Sequence, residues 1–75
     1  MDRNYGTLHI KLTEITQYRN MRKNAVMKMA NMQRTQLNHY YRNEITRVDM
    51  DVLARLCFAL NCNVDDILEF IPPKR

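Results

Sequence analysis

Apolar and polar positions alternate with period two near the start of the chain and with the period of a helix after that. Leu8, Ile10 and Leu12 alternate with Thr7, His9 and Lys11, which predicts a short strand over residues 7–11. No second strand stands out, so the pattern points to pairing with the same strand of another copy. Thr13 is placed to cap a first helix over residues 13–19, with Leu12, Ile15 and Tyr18 facing inward and Asn20 ending it. A second helix is expected over residues 23–30, and its N-cap position, Arg22, lacks a capping side chain. Asn31 falls where the next turn needs a left-handed residue, and a third helix spans residues 33–41.

The same reading continues to the C-terminus. After a polar connection over residues 43–48, Asp49 caps a fourth helix to Leu60, with Val52, Leu53, Leu56, Cys57 and Leu60 at helical spacing. Residues 61–63 break the pattern. Asn63 with Asp66 resembles a shortened capping box that opens a fifth helix over residues 64–70, and Pro72-Pro73 stops it. The chain therefore reads as one all-α domain: an extended arm over residues 1–11, a five-helix bundle over 12–71 and a tail over 72–75. The methionines Met21, Met27, Met29, Met32 and Met50 are expected to fill gaps in its core.

The spacing inside residues 23–41 goes further than a simple helical hairpin. Val26 and Ala30 lie one turn apart on the second helix, and Leu37 and Tyr40 one turn apart on the third. Met32 bridges them at the turn. Two helices joined so tightly over a shared core must cross steeply, as in a helix-turn-helix. The outer face of the third helix is left with Gln33, Arg34, Thr35, Asn38, His39 and Arg42, which are side chains suited to base edges and phosphates.

Charge reinforces that division. The formal net charge is +4, but it is polarised. Residues 19–47 hold Arg19, Arg22, Lys23, Lys28, Arg34, Arg42 and Arg47 against Glu44 alone, a balance of +6. Residues 49–69 hold Asp49, Asp51, Asp65, Asp66 and Glu69 against Arg55, a balance of −4. Such asymmetry favours a polyanion on one face. A solvated basic surface is the rival reading of charge alone.

Candidate chemistry of other kinds is thin. Cys57 and Cys62 form no CxxC pair, so neither metal nor redox chemistry is expected, and Cys57 reads as a small buried hydrophobe in a reducing, cytoplasmic setting. His9 and His39 lack the further ligands a metal would need; His9 reads as strand surface. The chain has no serine and no glycine-rich phosphate loop, and the acids Asp49, Asp65 and Asp66 sit at helix starts, where capping and the dipole explain them. We expect no enzyme activity, no cofactor, no small-molecule ligand and no membrane span. Tyr40 reads as core and Tyr41 as half-buried or touching a backbone; stacking of single-stranded bases on this pair is the less favoured use.

From Leu12 to Ile71, and most specifically through YYRNEITRVDMDVLARLCFALNCNVDDILEFIPP at residues 40–73, the chain resembles a Cro/cI-type (Xre-like) helix-turn-helix domain. The resemblance implies a five-helix bundle that binds operator DNA, usually as a two-fold dimer. It further implies that Gln33, Arg34 and Thr35 face the major groove, with Asn38 and His39 one turn on. Arg34 would then suit guanine and Asn38 adenine. Arg22, Lys23 and Asn24 before and at the second helix, and Arg42, Asn43 and Arg47 after the third, would meet phosphates. Two positions depart from the family pattern: Met27 stands where a small residue is usual, and Asn31 where Gly is usual. Leu8, Ile10, Phe70 and Ile71 are the candidate dimer contacts. The sequence thus leads to a bacterial or phage-type transcriptional regulator, acting as a repressor by occlusion. The alternative is a protein-interaction module, such as an antitoxin or inhibitor, built on the same bundle.

Overall fold

Leu12, Val26, Leu37, Val52, Leu56, Leu60 and Ile67 are withdrawn almost completely from solvent, and each of the five helices supplies at least one of them. The computed structural model describes residues 5–74, so the arm before Tyr5 and the last residue of the tail lie outside the described residues. The order is β1 (Thr7–Ile10), α1 (Leu12–Tyr18), α2 (Lys23–Ala30), α3 (Arg34–Tyr41), α4 (Met50–Leu60), α5 (Val64–Ile67) and β2 (Leu68–Ile71). Helix α2 packs chiefly on α4, and α1 touches both α3 and α5. The helix-turn-helix core is as the spacing requires: Val26, Ala30, Met32, Leu37 and Tyr40 are all buried. Met27 is accommodated at the margin of that core, partly buried against it.

The strand has its partner within the chain, which corrects the expectation of a lone strand. β1 and β2 form a two-stranded antiparallel sheet that ties the chain ends together, with Leu8 opposite Phe70 and Ile10 opposite Leu68. Helix α5 accordingly ends at Ile67, three residues earlier than expected. The run Leu68–Ile71 is too short for its apolar pattern to choose between helix and strand, and pairing with β1 decides it. Gly6 (φ 92) leads into β1 where a Cβ would lie 2.5 Å from the Ile71 carbonyl oxygen, so only glycine fits there. Leu8 and Ile10 share a sheet face with Phe70 and Leu68. At one end that face covers the core; at the other, Leu8 and Phe70 overhang into solvent.

Asparagine ends helix after helix. Asn20, Asn31, Asn43 and Asn61 have φ of 56, 54, 58 and 51°, each just past the end of α1, α2, α3 and α4 in turn. Asn is the non-glycine residue that best tolerates this left-handed conformation, so Asn31 does what a turn glycine would.

Several local expectations need correction. Helix α1 begins at Leu12, with Lys11 as N-cap and no side-chain cap, so Thr13 lies inside the helix. Its buried polar residue is Thr16, whose hydroxyl donates to the Leu12 carbonyl at 2.6 Å and so needs no water. Tyr18 points outward and is 89% exposed. Met29 and Met50 are likewise exposed rather than core, because each falls on the solvent side of its helix. Cys57 is only partly buried.

Candidate nucleic-acid interface

Helix α3 begins one residue later than the spacing suggested, with Gln33 as its extended N-cap. Its eight residues make a rod of about 12 Å, held on the bundle by Leu37 and Tyr40. With its side chains a helix is about 10–12 Å across, which fits a major groove about 12 Å wide. Gln33, Arg34, Thr35, His39 and Arg42 are exposed, and Asn38 is half-buried. Gln36 is exposed too, on the flank of α3 next to Leu37. It escapes a reading that counts only the face opposite Leu37 and Tyr40.

Two side-chain bridges lock the crossing of α2 and α3. Lys23 Nζ donates to Asn38 Oδ1 at 2.7 Å and sits 4.9 Å from the centre of the Tyr41 ring. Arg34 Nη2 donates to Asn24 Oδ1 at 3.1 Å. A third tie fixes the turn itself: Arg55 of α4, held by the Asp51 carboxylate at 3.0 Å, donates to the Asn31 carbonyl at 3.2 Å. The lone cation of the acidic half is thus a strut under the helix-turn-helix. Arg19 also serves the scaffold, donating to the Leu60 carbonyl at 2.6 Å, where it complements the C-terminus of α4.

The remaining cations are left unneutralised. Among the described residues, the side chains of Arg22, Lys28, Arg42 and Arg47 form no hydrogen bond or ion pair, and those of Lys23 and Arg34 bond only to neutral amides. Glu44, the one carboxylate nearby, is placed against His39 Nδ1 at 2.9 Å. The helix starts follow the same pattern. Helices α2 and α3 have no side-chain cap and no acid in their first turns, so their orphan N–H groups and positive dipole ends face outward. Such ends accept phosphate oxygens.

Asn43 is placed differently from the phosphate role expected of it. Its Oδ1 accepts from the Ile10 N–H at 2.6 Å and its Nδ2 donates to the Ile10 carbonyl at 3.1 Å. The amide imitates a neighbouring strand on the outer side of β1. Ile10 is buried, so of the candidate dimer contacts only Leu8, Phe70 and Ile71 are exposed.

Other chemistry finds no assembly here. Among the described residues no group of three or more His, Cys, Asp and Glu is placed to hold a metal ion, and no helix is long and apolar enough to cross a membrane. Burial raises the Cys62 thiol above its ordinary value, which disfavours the reactive thiolate.

The profile of a family described as the Cro/C1-type HTH DNA-binding domain matches residues 11–73. Among solved structures, the chain superposes on a crystal structure of the transcriptional regulator VanUg with a TM-score of 0.69. The two are 22% identical, and the match covers 97% of this chain and 99% of the other, a likeness of fold. No curated protein matches the sequence.

Proposed function

The chain belongs to the Cro/C1-type helix-turn-helix DNA-binding domain family, and from that premise we propose that it is a sequence-specific transcriptional regulator. The observation that carries the reading is the set of unneutralised arginines and uncapped helix starts gathered around α3. In this proposal α3 enters the major groove with Arg34, Thr35 and Asn38 toward the bases and Gln33 and His39 at the two ends of the contact. Arg22, Arg42 and Arg47 meet phosphates on either side, with Lys23 and Asn24 at the α2 N-terminus adding to the field. Asn43 leaves the phosphate set because its amide holds β1.

The regulator acts as a homodimer on an inverted repeat, repressing by occlusion and residing in the cytoplasm on the nucleoid. Support for the dimer is the exposed pair Leu8 and Phe70, an apolar overhang that a second copy would cover, with Ile71 exposed on the other sheet face. Selection of bound sequences from a random duplex pool tests the whole reading. A dimer returns two half-sites about one helical turn apart. Arg34→Ala with Asn38→Ala should abolish the selected preference while leaving salt-sensitive, non-specific binding. An unaltered preference would sink the recognition-helix assignment, and binding that ignores salt would favour a protein-interaction module.

A further inference from the structure

Asn38 alone could present either edge of its amide to a base, because rotating the amide exchanges donor for acceptor. The choice is made on the neighbouring helix. Lys23, the first residue of α2, places its ammonium 2.7 Å from Asn38 Oδ1. An ammonium has donors only, so the amide edge that faces it must be the carbonyl. The bond is charge-assisted and stronger than a neutral one. Lys23 is itself half-buried, and its ammonium lies over the Tyr41 ring, one helical turn beyond Asn38, so it is held from two sides.

We propose that Lys23 is a specificity-positioning residue: it turns the Asn38 amide so that Nδ2–H₂ faces the groove, and Asn38 therefore reads guanine rather than adenine. This rests on the proposed entry of α3 into the major groove. Adenine offers one acceptor and one donor, N7 and N6–H₂, and needs both edges of an amide. Guanine offers two acceptors, N7 and O6, and an outward amino group suits both. With Oδ1 engaged by Lys23, the acceptor that adenine requires points into the protein.

Random-pool selection with wild type, Lys23→Met, Lys23→Arg and Asn38→Ala tests this directly. One base step should favour guanine in wild type and in Lys23→Arg, which keeps a donor. In Lys23→Met the same step should swing toward adenine, by about tenfold. In Asn38→Ala it should lose its preference, with other steps unchanged. A Lys23→Met protein that binds every sequence more weakly, with a salt slope lower by about one per subunit, would mean that Lys23 is only a phosphate contact. Guanine retained in Asn38→Ala would mean that Lys23 reads the base itself.

A second measurement needs no DNA. In the free protein the side-chain amide resonances of Asn38 should move in Lys23→Met and return in Lys23→Arg. Unmoved resonances overturn the pairing whatever the DNA result. A wild-type pool with no preferred sequence, beside resonances that do move, would instead remove the DNA-reading role on which the proposal rests.

Discussion

Helices α4 and α5 begin under carboxylates of their own, whereas α2 and α3 begin under none. Asp49 accepts from the Asp51 N–H at 2.9 Å, and Asp66 accepts from the Asn63 N–H at 2.9 Å. Arg55 is paired with Asp51, and Arg19 covers the carbonyl end of α4. In the α2–α3 half, Arg22 and Gln33 cap nothing, and the free arginines have no carboxylate. Both halves share one apolar core, so the difference lies in where polar groups find partners. A side chain that caps a helix costs about 1 kcal/mol to remove. Leaving two adjacent helices without one keeps their ends available for an anion that is not part of the chain.

The largest effect expected from breaking this contrast is on binding. Replacing Arg22, Arg42 and Arg47 together by Gln removes three of the unneutralised charges and leaves the core untouched. The slope of log K against log salt should flatten by about 0.9 per phosphate contact, or about 5 for a dimer. Folding stability should stay level or rise slightly, because like charges no longer repel. A salt titration beside a denaturant melt reads both. Lost stability with an unchanged slope would place the arginines in the scaffold.

Asn43 sits at the border between the halves and gives the next largest effect. Asn43→Ala loses two hydrogen bonds to Ile10, each about 1 kcal/mol, and puts alanine at φ 58°, which costs about 1–2 kcal/mol more. Asn43→Gly keeps the turn and loses only the bonds, so the difference between the two variants isolates the backbone cost. Denaturant midpoints should fall in the order wild type, Gly, Ala, with the salt slope of DNA binding nearly unchanged. A lowered slope at intact stability would return Asn43 to the phosphates.

What the sequence made legible follows the range of the interaction that decides it. The helices α2, α3 and α4 and their shared core rest on apolar spacing within a turn or two, and Val26, Leu37 and Leu56 are buried as that spacing requires. The left-handed Asn31 and the Asp49 cap are local as well. Strand β2 was not legible because four residues fit both periods and its partner lies at the other end of the chain. The roles of Asn43, Lys23 and Arg55 escaped for the same reason. Each is fixed by a residue far away in sequence, Ile10, Asn38 and Asn31 respectively, and only the packing of the helices brings them together. The exposed polar face of α3 could be inferred from composition, but the orientation of an amide on it could not.

The smallest effect concerns acid, and it belongs to the scaffold half. His9 Nε2 lies 2.9 Å from Glu14 Oε2, and this hydrogen bond, ahead of a backbone one, lowers the Glu14 carboxyl below its ordinary value of 4.5. The folded state therefore holds that proton less readily than the unfolded chain. The resulting stabilisation is complete above pH 4.5 and is lost as the pH falls through the lower, folded value. The pair is exposed, so solvent screening keeps its worth below about 0.5 kcal/mol. Glu14→Gln should give a shallower fall in the denaturant midpoint across that acidic range, with little change at neutral pH. An unaltered fall would mean that the His9–Glu14 pair carries none of the acid sensitivity.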